Sequence, residues 1–158
     1  MAVINGKGAG GVVFDRVTKR YNDVTAVDDV SFDVRPGELV TLLGPSGCGK
    51  TTTLRMVAGL EPVTSGRIHI GGVDVTDRAA NERDVSMVFQ SYALFPHMNV
   101  LDNVCYGPLS SGMGKAKARE LAHAKLGMLG LAGLEQRLPS ELSGGQQQRV
   151  AVARSLVH

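Results

Sequence analysis

Gly44-Pro45-Ser46-Gly47-Cys48-Gly49-Lys50-Thr51-Thr52, preceded by the apolar run Leu39-Val40-Thr41-Leu42-Leu43 and followed by Leu54-Arg55-Met56-Val57-Ala58, decides the fold. A buried strand, a glycine-rich turn and a helix start in that order make a phosphate cradle. Glycines at 44, 47 and 49 let successive backbone N–H groups converge on one point, where the helix N-terminus adds roughly +0.5 of an elementary charge. An anion belongs there. Lys50 is expected to reach the β- and γ-phosphates of a nucleotide as a point charge, the Thr51 hydroxyl to hold Mg²⁺, and Thr52 to add a hydrogen bond to the α-phosphate. Pro45, Ser46 and Cys48 complete the loop. A glycine-rich turn that merely ends a strand is the bland alternative, but Gly44, Gly49, Lys50 and Thr51 all fall at the spacing a phosphate loop requires. The stretch predicts ATP or GTP binding.

Around this loop the composition is that of an ordinary globular chain: 158 residues, 43% apolar and 20% charged. Net charge is +2, with 17 basic residues against 15 acidic ones, so the total carries no nucleic-acid footprint. No apolar stretch approaches the roughly 20 residues that span a bilayer, and the opening MAVINGKGAGG lacks the apolar segment of a signal peptide. A cytosolic chain is expected. Cys48 and Cys105 are far apart and outside any CxxC pattern, which argues against a disulfide framework or a zinc site. Cys48 lies beside Lys50 and a helix start, surroundings in which thiols are reactive, so its alkylation is expected to block nucleotide binding; an inert buried thiol is the alternative. His69, His97, His123 and His158 are scattered and form no ligand pattern.

Upstream of the loop, residues 1–10 read as a flexible tail, and residues 11–90 as a nucleotide-binding core with an antiparallel β layer. VVFDRVTKRY from Val12 and AVDDVSFDV over Ala26 to Val34 are strand-like, with a turn at Tyr21-Asn22-Asp23 between them. The helix from Gly49 is expected to end near Gly59-Leu60, before Pro62. Arg67 to Ile70 then forms a strand that turns at Gly71-Gly72 into Val73-Asp74-Val75. After a charged, helix-poor stretch (Asp77 to Arg83), VSMVFQ over Val85 to Gln90 has the length of a buried parallel strand. Gln90 falls at its carboxyl end, where a polar side chain can meet Mg²⁺ or attacking water, or can simply terminate the strand.

Residues 91–158 read as a helical subdomain. Ser91 to Met98, SYALFPHM, is rich in aromatic and apolar residues for a surface connection, which suggests a docking face. Asn99 with Asp102 three residues later opens a short helix expected to stop by Gly107-Pro108, and Lys115 to Leu129 shows helical spacing of apolar residues. Glu141 to Arg149, ELSGGQQQR, is the second informative stretch. Ser143 can cap a helix there, while Gly144 and Gly145 leave the first N–H groups bare to an approaching phosphate. An ordinary capped helix with a glycine-softened entry is the alternative.

With GPSGCGKTT, Gln90 after VSMVF, and LSGGQQQR in this order, the chain resembles the ATP-binding subunit of ABC transporters from about residue 12 onward. Its most specific element is Leu142-Ser143-Gly144-Gly145-Gln146, which is similar to the family's signature motif. The resemblance implies an α/β fold: a phosphate-loop NTPase core with a mostly parallel sheet, an N-terminal antiparallel β layer and a helical subdomain. It implies ATP and Mg²⁺ as ligands, Lys50 and Gln90 as catalytic groups, and Thr51 and Gln90 at the metal. Tyr21 matches the aromatic position that stacks on adenine, although as sequence chemistry alone it is only a turn tyrosine. A head-to-tail pair is implied, ATP lying between Gly44 to Thr52 of one subunit and Ser143, Gly144, Gly145 and Gln146 of the other. SYALFPHMNVLDNV looks like the segment that docks transmembrane permease subunits in importers of sugars, polyamines, ferric iron or phosphonates. That places the subunit peripherally, at the cytoplasmic face of the membrane, with no nucleic-acid partner.

In that family the signature helix leads into a strand ending in the Walker B aspartate and a catalytic glutamate, and later a switch histidine. The sequence ends at Leu156-Val157-His158, so the resemblance implies a C-terminally incomplete domain that is inactive alone, and unstable or aggregating at an uncovered sheet edge. Three readings stay open: the energy subunit of an importer, a soluble ABC ATPase, and an inactive remnant of such a subunit.

Overall fold

A computed structural model describes residues 2–3 and 10–157. In chain order its strands and helices are β1 (Ala2–Val3), β2 (Val12–Tyr21), β3 (Val24–Val34), α1 (Lys50–Val57), β4 (Ser65–Ile70), β5 (Val73–Asp74), β6 (Ser86–Met87), α2 (Val100–Ser110), α3 (Lys115–Met128) and α4 (Gly144–Ser155). They fall into two compact units, one holding the described residues of 10–85 and the other residues 2–3 and 86–157. The flexible tail expected over residues 1–10 falls mostly outside the described residues; Ala2 and Val3 pair with β6.

The first unit is built on an antiparallel sheet in the order β3-β2-β4-β5. Alternation in β2 puts Val12 and Phe14 inside and Val13 and Asp15 outside. At Arg16, held at φ 47°, the register shifts against both neighbours, and Val17, Thr18 and Lys19 all become buried. Such a bulge re-aims the side chains beyond it. Gly66 (φ +89°) lies against the Arg16 carbonyl where no side chain fits. Between β4 and β5, Gly71 and Gly72, both at positive φ, make the two-residue hairpin that the sequence predicts. Val12, Phe14, Val17, Val27, Ile68 and Ile70 form a core with Met56 and Val57 of α1, and the Phe14 and Phe32 rings stack at 4.7 Å.

Two expected core strands do not form. Leu39 to Leu43 has no strand pairing, and Leu39 and Leu43 are 85% and 89% exposed. A strand needs a neighbour for its backbone groups and a cover for its side chains, and among the described residues none lies alongside this run. Val85 to Gln90 contributes only Ser86–Met87, paired antiparallel with β1. Every strand pairing among the described residues is antiparallel, so the mostly parallel sheet is replaced here by a mixed α/β arrangement with an antiparallel sheet.

In the second unit α2, α3 and α4 pack around Val104, Leu126, Leu131 and Val150. Asn99 caps α2 by accepting from Asp102 N, as its sequence predicts. The helix passes the expected stop and runs to Ser110, with the ring of Pro108 buried in its last turn.

Candidate nucleotide and signature sites

The loop at 44–49 leads into α1 through backbone that glycine alone adopts freely: φ is +153° at Gly44, +83° at Gly47 and +87° at Gly49. Gly49 is the N-cap of α1 and supplies no side-chain cap, which leaves the first N–H groups of the helix to a ligand. A Cβ at Gly49 would run into the Ala26 carbonyl, so β3 fixes this tip in place. Thr53 is turned inward, its hydroxyl donating to the Gly49 carbonyl at 3.0 Å, while Thr51 is exposed and Thr52 half-buried. Pro45, Ser46 and Cys48 are exposed. The buried thiol considered for Cys48 is therefore not what the fold makes.

Lys50 folds over its own loop. Its Nζ donates to the carbonyls of Gly44 at 2.8 Å and Pro45 at 2.6 Å and lies 3.4 Å from Cys48 Sγ. Carbonyl oxygens are weaker partners for an ammonium than anionic oxygens, so an arriving phosphate can displace them. A loop of positive-φ glycines, an uncapped helix start and an ammonium held only by loop carbonyls suit a nucleotide triphosphate, and the exposed Thr51 hydroxyl suits a hard cation beside it. Tyr21 ends β2 and is 43% exposed.

At the far end of α1, Arg83 is buried and donates to the carbonyls of Met56 at 2.6 Å and Val57 at 3.1 Å, and also to those of Thr76 and Arg78. A guanidinium at the C-terminus satisfies the carbonyls that the helix leaves unpaired and complements the negative end of its dipole. Burial pushes its pKa down, opposed by Asp77. From the sequence Arg83 is only part of a charged stretch; its partners at the end of α1 lie 26 and 27 residues away, out of reach of any local pattern.

In the second unit Ser143 caps α4, its hydroxyl accepting from Gln146 N at 3.3 Å while Gln146 Oε1 accepts from Ser143 N at 2.9 Å. This reciprocal box occupies Gln146 locally. Gly144 and Gly145 are exposed, with open space where a side chain would stand. Gln147 donates back to the Pro139 and Leu142 carbonyls, tying the helix start to the turn before it.

Gln90 is exposed and begins a loop in which Tyr92 (φ 61°) and Ala93 (φ 47°) are left-handed. In the segment Ser91 to Met98, the exposed residues are Ser91, Ala93, Pro96 and His97. Phe95, read from the sequence as part of an aromatic docking face, is half-buried with its ring 4.6 Å from that of Tyr106, and Leu94 packs on the helical core. Asn103, fully buried in α2, accepts from Phe95 N and donates to the carbonyls of Phe95, Met98 and Asn99. The sequence-derived candidates thus divide between the units: Tyr21 and 44–52 in the first, Gln90 and 143–146 in the second.

A family model described as ABC transporter matches residues 27–158. The chain is similar to the Fe(3+) ions import ATP-binding protein FbpC 1 of Rhizobium meliloti, at 69% identity over 94% of this chain and 42% of that relative. It is also similar to the Fe(3+) ions import ATP-binding protein FbpC of Photorhabdus laumondii, at 52% identity over 92% of this chain and 42% of that relative. Among solved structures, the dimeric MJ0796, a bacterial ABC transporter cassette, superimposes with a TM-score of 0.84 at 32% identity, over 92% of this chain and 69% of that one. The chain spans 42% of the length of these import proteins. No described helix is long and apolar enough to cross a membrane.

Proposed function

The chain belongs to the ABC transporter family, and from that premise we propose that it is the ATP-binding part of the energy-supplying subunit of an Fe(3+) import system. The observation that carries this reading is the pair of differently built helix tips, an uncapped one with Lys50 at its mouth and a glycine-lined one behind Ser143.

In this reading Lys50 exchanges the Gly44 and Pro45 carbonyls for β- and γ-phosphate oxygens, and Gly44 to Gly49 wrap the phosphates with backbone N–H groups. Thr52 reaches the α-phosphate, and Tyr21 stacks on adenine. Thr51 and, by the family resemblance, Gln90 would hold a bound Mg²⁺, which would neutralise phosphate charge. Ser143, Gly144, Gly145 and Gln146 of a second copy close the site from the other side, so ATP joins two subunits head to tail and hydrolysis, in which Lys50 and Gln90 take part, lets them separate. Ser91 to Met98 meets the permease through its exposed Ser91, Ala93, Pro96 and His97, at the cytoplasmic face of the membrane. Residues 11–90 act as the nucleotide-binding core and 91–158 as the signature-bearing subdomain.

Calorimetric titration with Mg²⁺-ATP tests the reading. Saturable binding that is lost in Lys50→Ala is expected; binding untouched by that substitution, or none in the folded protein, contradicts it.

A further inference from the structure

Lysine is rarely buried unless paired, and Lys19 in β2 is only 7% exposed. Its ammonium lies 2.7 Å from the Glu61 carboxylate, donates to the Pro62 carbonyl at 2.8 Å, and stands 4.7 Å from the centre of the Tyr21 ring. That distance is within the range of a cation–π contact, and the lysine's own main chain precedes the ring by two residues. The surroundings anchor it further: Thr64 N donates to the Thr18 carbonyl at 2.9 Å, and Arg20 N donates to Thr64 Oγ1 at 3.0 Å. Residues 61–64 form the exit from α1, whose entry is the phosphate loop. The end of β2, carrying Tyr21, is therefore tied through Lys19 to the helix that starts at Lys50. The Lys19 hydrogen bond above all, and that of the Tyr21 hydroxyl, hold the Glu61 carboxyl below its ordinary range against the opposing effect of burial.

We propose that Lys19 and Glu61 are positioning residues for a purine base: the ammonium, fixed by the carboxylate, occupies one face of the Tyr21 ring and leaves the other face as a stacking platform set in place before the nucleotide arrives. This rests on the reading of Tyr21 as the adenine contact. Without the ammonium the exposed ring on the hairpin tip keeps only its hydroxyl bond to Glu61 and gains freedom about χ1, and stacking must then oppose the lost rotamer freedom. The contacts of Lys19 are with Glu61, Pro62 and the Tyr21 ring, so its effect is expected at the base and not at the phosphates.

The test compares Mg²⁺-ATP with Mg²⁺-inorganic triphosphate, which has no base, by titration of the whole chain. Tyr21→Ala is expected to lower the ratio of the two affinities about tenfold, the size of a lost base–aromatic stack. Lys19→Met and Glu61→Gln are each expected to lower the same ratio about threefold while triphosphate affinity stays as in the parent. An unchanged ratio in both variants overturns the proposal, as does a parallel fall for both ligands, which marks a general loss of structure. If Tyr21→Ala itself leaves the ratio unchanged, the adenine assignment fails, an outcome distinct from a ratio that responds to Tyr21 alone. Glu61→Gln keeps the side chain's size, and so reports even where Lys19→Met does not fold.

Discussion

Arg154 of α4 donates from Nη1 to the Ala93 carbonyl at 2.7 Å and from Nη2 to the Tyr92 carbonyl at 3.1 Å, joining the helix that begins at the signature glycines to the loop that begins at Gln90. Both acceptors are in left-handed backbone, a conformation that costs residues other than glycine about 1 kcal/mol or more each, and the guanidinium also lies 5.6 Å from the centre of the Phe95 ring. Arg154→Gln removes the fork that holds this strain. The expected loss is about 1–2 kcal/mol in urea unfolding, with faster amide exchange at 92–95 than at the core of α4. Unchanged exchange at 92–95 would show that the loop holds its shape without Arg154.

Asn103 holds the next part of the same segment from the α2 side. Its amide answers the N–H and carbonyl of Phe95 and the carbonyl of Met98 from a position with no exposure at all. Asn103→Leu fits the space but leaves those backbone groups unpaired, and is expected to cost about 3 kcal/mol, read as a lower urea midpoint. A loss below about 1 kcal/mol would mean that water or a shifted loop takes over.

Arg83 plays the corresponding part for α1. Arg83→Met strips the Met56 and Val57 carbonyls of their donors in a buried setting. A loss of about 2–4 kcal/mol is expected, with weaker Mg²⁺-ATP binding because the helix carrying Lys50 is loosened at its far end. Parent-like stability in thermal unfolding would contradict the capping role.

Glu61 and Asp74 make stability depend on acid. The hydrogen bond from Lys19 lowers the Glu61 pKa, and that from the Thr76 hydroxyl lowers the Asp74 pKa. A carboxyl depressed in the folded state stabilises it fully above the unfolded value, here 4.5 for Glu61 and 3.8 for Asp74, and loses that contribution as pH falls through the folded value. Urea midpoints are therefore expected to fall as pH drops below about 4.5, and the double variant Glu61→Gln/Asp74→Asn to show a shallower fall. An identical slope in the double variant would place the acid sensitivity elsewhere.

What could be read from the sequence was what short-range chemistry decides. Asn99 and Ser143 announce their helices because a cap bonds residues two or three positions on, and Gly71-Gly72 announces its hairpin because the turn needs positive φ at both positions. The glycine turn that leads into α1 was legible for the same reason. Leu39 to Leu43 was not, since apolar composition shows a wish to be buried but not whether a neighbouring strand is there to do it. Nor were the bulge at Arg16 and the contacts of Lys19, Arg83 and Arg154, whose partners are set by tertiary register.

The central claim is that the loop at 44–52 of one copy and the tip at 143–146 of another grip one nucleotide. Ser143 and Gly144 are exposed at the facing tip, so a bulky charged side chain at 143 would bar a nucleotide from it. Sedimentation of the parent chain is expected to show a dimer with Mg²⁺-ATP present, little without it, and none in Lys50→Ala or in Ser143→Arg. A yield of dimer indifferent to ATP, or no dimer at saturating ATP, would contradict the account.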